Sequence, residues 1–63
     1  AIAFFQINSE EHPNSSNAYD SLGEAYLANK EFKKALVAYE KALLLDEDNR
    51  NAAEAIVKIK KSL

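Results

Sequence analysis

The chain has 63 residues, with 10 acidic and 8 basic side chains, a formal net charge of −2, one glycine, one proline and no cysteine. At this length only one domain with a thin core fits, no disulfide or thiolate metal site can staple it, and the net negative charge argues against a nucleic-acid surface. The 11 alanines and 7 leucines are those of an all-α chain.

Ala1 leads into Ile2, Ala3, Phe4 and Phe5 with no capping residue in front, so the sequence reads as a slice of a longer protein that begins inside a helix. This first apolar stretch runs to about Ser9, and Pro13 stops it because the residue before a proline is pushed out of the α region. Ser15 or Ser16 is placed to cap the second stretch. There Ala18, Tyr19, Leu22, Ala25 and Tyr26 share one helical face up to about Asn29. In the third stretch Phe32, Ala35, Leu36, Tyr39, Ala42 and Leu43 repeat the pattern before Asp46, Glu47, Asp48 and Asn49 interrupt it. The fourth carries a narrower stripe of Ala52, Ile56, Ile59 and Leu63, with Lys58, Lys60 and Lys61 near its end, where cations complement the helix dipole. Apolar runs such as Ala42 to Leu45 are far short of the roughly 20 residues of a membrane span.

Laid on itself at an offset of 34, the chain aligns Ala1 with Ala35, Ile2 with Leu36, Phe5 with Tyr39, Asn17 with Asn51, Ala18 with Ala52 and Leu22 with Ile56. A fixed period of this length marks a helical repeat array. Tyr19, Leu22, Gly23 and Tyr26, followed by Ala35, Tyr39 and Ala42, resemble the signature of the tetratricopeptide repeat. Gly23 and Ala42 suit that fold physically, since paired helices that approach to within about 8–10 Å leave no room for larger side chains. The resemblance implies antiparallel helical hairpins of an α-solenoid, about four helices in all. Residues 1–12 would be the second helix of a preceding repeat, 16–49 one complete repeat and 50–63 a capping helix. The pattern has two departures. Glu47 stands where a closing proline is expected, so the third helix is expected to run on slightly, and Asn29-Lys30 replaces the usual glycine of the inter-helix turn. A narrower likeness runs from Phe4 to Tyr26, which resembles the repeat tails of certain bacterial serine hydrolases of the β-lactamase and α/β-hydrolase types. It would make the chain the C-terminal tail of an enzyme whose catalytic domain lies elsewhere.

No catalytic or metal site is expected. His12 sits in a polar loop with no ordered partner implied, Glu10, Glu11 and His12 are adjacent rather than spaced along one helical face, and Asp46-Glu47-Asp48 lacks the glycine and terminal glutamate of a calcium loop. No cofactor is implied. The resemblance instead implies a non-catalytic scaffold that binds a protein or peptide segment, which could be another domain of the parent protein. The first helix of each repeat pair lines a concave groove, and its outward residues here are Asn17, Asp20, Ser21, Glu24, Leu27 and Ala28, continued by Asn51 and Ala55 on the last helix. Family members that grip acidic peptide C-termini carry Lys, Arg and Asn on this surface. Asp20 and Glu24 disfavour such a clamp and suit a basic or neutral segment. Ile2, Phe4, Phe5 and Ile7 are expected to lack cover and to bring two copies together as a homodimer.

Overall fold

The computed structural model describes Ile2, Gln6, Ile7 and residues 15–62. Three helices are described in full: α1 (Ser16–Ala28), α2 (Phe32–Leu45) and α3 (Arg50–Ser62). Ile2, Gln6 and Ile7 are also helical, and they are all that is described of the first of the four expected helices. Phe4, Phe5, His12 and Leu63 lie outside the described residues. Among the described residues there is no strand, and the all-α expectation holds.

Local chemistry sets each boundary. Ser15 is extended, and its hydroxyl accepts the Ala18 amide at 3.2 Å, so it caps α1. The helix ends in two crossed bonds, Lys30 N–H to the Leu27 carbonyl at 3.0 Å and Glu31 N–H to the Tyr26 carbonyl at 2.9 Å. This closure satisfies two otherwise orphaned carbonyls and requires a left-handed residue between them. Lys30 supplies it at φ 61°, the one non-glycine positive φ among the described residues. The turn is three residues long, which forces α2 back antiparallel to α1.

Contrary to the expectation from Glu47, α2 does not run on. It stops at Leu45, and Asp46 is extended with its carboxylate accepting the Asp48 amide at 3.1 Å. Asn49 then accepts the Ala52 amide at 3.0 Å and starts α3. An aspartate that folds the backbone over its own side chain and an asparagine that caps the next helix end α2 without a proline.

The core is built from small residues and few large ones: Leu22 and Tyr26 from α1, Ala35, Ala38, Tyr39 and Ala42 from α2, Ala52 and Ile59 from α3. Ala35, Ala42 and Ala52 are wholly buried. With only a methyl group at the contact, the helix axes come close. The chain packs tightly at Gly23. A Cβ there would lie 2.8 Å from Cδ2 and Cε2 of the Tyr39 ring and 3.0 Å from its Cγ, so the ring occupies the volume that any other residue at position 23 would need. Ser16 closes the far end of the hairpin, donating to the Ala42 carbonyl at 2.8 Å and accepting from Asn49 Nδ2 at 2.9 Å.

A Cβ in the left-handed region is unfavourable by about 1–2 kcal/mol, partly offset by the extra chain entropy that a glycine loses on folding. Lys30→Gly is therefore expected to stabilise the chain by up to about 1 kcal/mol in urea or thermal unfolding. Destabilisation would show that Lys30 makes contacts that outweigh the strain.

Candidate functional site

The start of α3 lies beside the start of α1, so the two helices run alongside each other and leave a recess between them with α2 as its floor. It has a volume of about 230 Å³ and is lined by Glu24, Leu27, Tyr39, Asn51, Glu54, Ala55 and Lys58. Of the residues expected to line a groove, Glu24 and Leu27 from α1 and Asn51 and Ala55 from α3 meet here. Asn17 and Ala28 are exposed and Ser21 is half-buried, none of them in the lining. Glu54 and Lys58 join the lining at helical spacing from Asn51 and Ala55. Tyr39 comes from the second helix of the pair, which the sequence pattern assigns wholly to the core.

Asp20 has a structural task. Its carboxylate accepts from Asn51 Nδ2 at 2.8 Å and from Asn49 Nδ2 at 3.3 Å, which ties α1 to the cap and first turn of α3. Of these residues Asn51 also lines the recess, and the bonds fix the spacing between the two helices beside it. Asn49 thereby serves three groups, capping α3 with its oxygen while its nitrogen reaches Ser16 and Asp20.

Tyr39 is buried, and its phenol is pushed up to about 12, chiefly because burial penalises the phenolate and further because Asp20 and Glu24 are negative nearby. It stays protonated at any physiological pH. The recess therefore presents two carboxylates, Glu24 and Glu54, one ammonium, Lys58, the Asn51 amide and the apolar Leu27 and Ala55. A segment with basic or neutral side chains on an apolar stem is complementary to it.

The matching family model is the tetratricopeptide repeat, over residues 17–49, just over half of the chain. The chain belongs to the tetratricopeptide repeat family. No curated protein and no solved structure matches it. As repeats of this family are protein-interaction modules, the chain has the architecture of a protein-binding scaffold.

A second, larger recess opens on the other side of α1, about 600 Å³ between Tyr19, Leu22, Tyr26, Val37 and Ala38, with Lys33, Lys34 and Lys41 around it. Lys34 and Lys41 lie 6.0 Å from the ring centres of Tyr26 and Tyr19, at the outer limit of cation–π attraction. The N-terminal segment meets this side of the repeat, since Gln6 Nε2 donates to the Tyr26 hydroxyl at 2.6 Å and Ile2 packs against the core. Among the described residues no cluster of three metal-ligating side chains occurs, and no helix is long and apolar enough to cross a membrane.

A phenol whose folded-state pKa stands above its ordinary value holds its proton more tightly folded than unfolded, so its contribution to stability is complete below pH 10 and is lost as pH rises towards 12. Unfolding midpoints measured from pH 9 to 12 are expected to fall more steeply for the wild type than for Tyr39→Phe. Equal slopes would remove the burial of this hydroxyl from the account.

Proposed function

We propose that this repeat is a non-catalytic protein-binding scaffold whose concave recess, lined on its α1 side by Glu24 and Leu27 with Asn17, Asp20, Ser21 and Ala28 on the same helix outside the lining, takes a basic or neutral segment of another protein. The observation that carries this reading is the convergence of Glu24, Leu27, Asn51, Glu54 and Lys58 around one recess. Asp20 acts there by holding α3 in place, and Glu24 and Glu54 supply the charge that selects the segment. In this reading residues 16–49 are the complete repeat, 1–12 belong to the repeat before it and 50–63 cap the stack.

The likeness of residues 4–26 to the repeat tails of bacterial serine hydrolases favours a second version, in which the segment belongs to another domain of the same bacterial parent enzyme. The intact mass of the source protein and a search of its sequence for a serine hydrolase motif separate the two. Ile2, Phe4, Phe5 and Ile7 remain a proposed self-association surface. Ile7 is 55% exposed, and Ile2 is half-buried against the core.

Two probes test the binding reading: a peptide of alternating Lys and Leu, and the same peptide with Glu for Lys. Amide shifts are expected to move at Glu24, Asn51 and Lys58 with the basic peptide, and Glu24→Ala with Glu54→Ala is expected to weaken its binding about tenfold, the size of losing two partly screened charge contacts. Equal or tighter binding of the acidic peptide would overturn the charge assignment.

A further inference from the structure

The outward face of α2 carries features that neither the core nor the concave recess uses. Val37 and Leu44 are 66% and 74% exposed, two turns apart on one side of the helix, directly opposite the buried Ala35, Tyr39 and Ala42. Lys33 and Lys34 occupy the first turn of α2, and Asp46, Glu47 and Asp48 follow its last turn, with no acidic residue in the first turn and no basic one in the last. That order opposes the helix macrodipole, which favours anions at the N-terminus and cations at the C-terminus. Along α2 the arrangement is unfavourable at the end of the helix, while at its start the N-cap Glu31 partly offsets the two lysines and the acidic turn also precedes the N-terminus of α3, where negative charge is favourable.

The order is self-complementary about the bond between Glu40 and Lys41. Residues equidistant from that point are Lys33 and Asp48, Lys34 and Glu47, and Val37 and Leu44, and all of them are exposed. A twofold axis through that midpoint sets two α2 helices antiparallel. The lysine-bearing start of each α2 then lies beside the acidic turn Asp46–Asp48 that follows the end of the other's α2 at Leu45, Val37 of each meets Leu44 of the other, and Glu40 and Lys41 straddle the axis with no net charge. An isologous contact requires this reciprocity. Val37 also borders the apolar recess of Tyr19, Leu22 and Tyr26, so Leu44 of the second copy reaches more apolar surface than Val37 alone offers. Lys34, which holds Glu31 at 3.3 Å, is exposed enough to serve either carboxylate.

We infer that the outer face of α2 is an interface for a second copy of this chain, formed by antiparallel pairing of two α2 helices. It is separate from the concave recess, and its Val37 end borders the side of the repeat that the N-terminal segment meets through Gln6. The face spans only about 20 Å of a helix about 10 Å across, on the order of 200 Å², well below the roughly 800 Å² per partner of a standard interface, so the pairing is weak and depends on concentration and salt.

The test is sedimentation equilibrium and fluorescence anisotropy on the chain and on two charge reversals, Lys33→Glu and Asp48→Lys. Each reversal faces like charges at both symmetry-related ends of its own dimer, and each is expected to raise the dissociation constant about tenfold. Mixed in equal amounts, the two are expected to associate as tightly as the wild type, because each then meets its opposite. Lys33→Glu improves the charge order along α2, so its monomer is expected to melt no lower than the wild type, and circular dichroism of both reversals at low concentration separates lost association from lost folding. Phe4→Glu is expected to leave the effect of mixing unchanged. Wild-type affinity in both reversals, or weakened association that mixing does not restore, would overturn the interface. Loss of the mixing effect in Phe4→Glu would assign the association to the N-terminal segment instead. Binding of the basic peptide in the recess is expected to be the same in all three chains, so failure of this interface and failure of the recess are distinguishable.

Discussion

The ring of Tyr39 lies on the bare backbone of Gly23, and the rest of this small fold depends on that contact. A chain of 63 residues has too little apolar surface to stabilise itself by bulk. It does so by bringing helices close, with methyl groups at Ala35, Ala42 and Ala52 and no side chain at Gly23, so that one aromatic ring fills the gap that the glycine leaves. The same gap lets Tyr39 reach through the hairpin to the concave side, where it lines the recess beside Glu24 and Asn51. The residue that locks α1 to α2 is thus also the floor of the candidate binding surface, and the shape of that surface is coupled to the packing beneath it.

Polar contacts complete what the ring begins. Ser16, Asp20, Asn49 and Asn51 form a connected set that joins the start of α1, the end of α2 and the start of α3. These are long-range contacts between short side chains, so they fix relative positions with little loss of side-chain entropy. The third helix, which meets α2 through Ala52 and Ile59, is held in register with α1 by Asp20. Without that carboxylate the concave recess would lose its spacing before the core lost its packing. Charge is distributed unevenly over the resulting body, with carboxylates lining the concave side, lysines around the second recess, and both signs arranged end to end on the outer face of α2.

Much of this was legible in the sequence, because its information is periodic and local. The apolar spacing of Ala18 to Tyr26 and of Phe32 to Leu43 gives two helices and their buried faces, Ser15 announces a cap, and the offset of 34 gives the repeat. The left-handed strain at Lys30 follows from the absence of glycine in a three-residue turn. The end of α2 was not legible from the repeat pattern, because Asp46 and Asn49 stop the helix through side-chain to backbone bonds that the missing proline conceals. The pairing of Asp20 with Asn51 spans 31 positions, and nothing local in either segment points to it. Tyr39 was read as core because its helical phase is correct for core, and periodicity cannot show that a ring reaches past a glycine to another surface.

The central claim is that the fit of one ring against one glycine holds the hairpin, and a double-mutant cycle of Gly23→Ala with Tyr39→Leu tests it most directly. In the wild-type background alanine at position 23 meets the Tyr39 ring, and overpacking is expected to outweigh its better helix propensity, for a net loss of about 1–2 kcal/mol in urea unfolding. With the ring replaced by leucine the clash is relieved, and the same substitution is expected to become neutral or stabilising by about 0.5 kcal/mol. Additive effects, with alanine equally costly in both backgrounds, would contradict the account and place the constraint on Gly23 elsewhere.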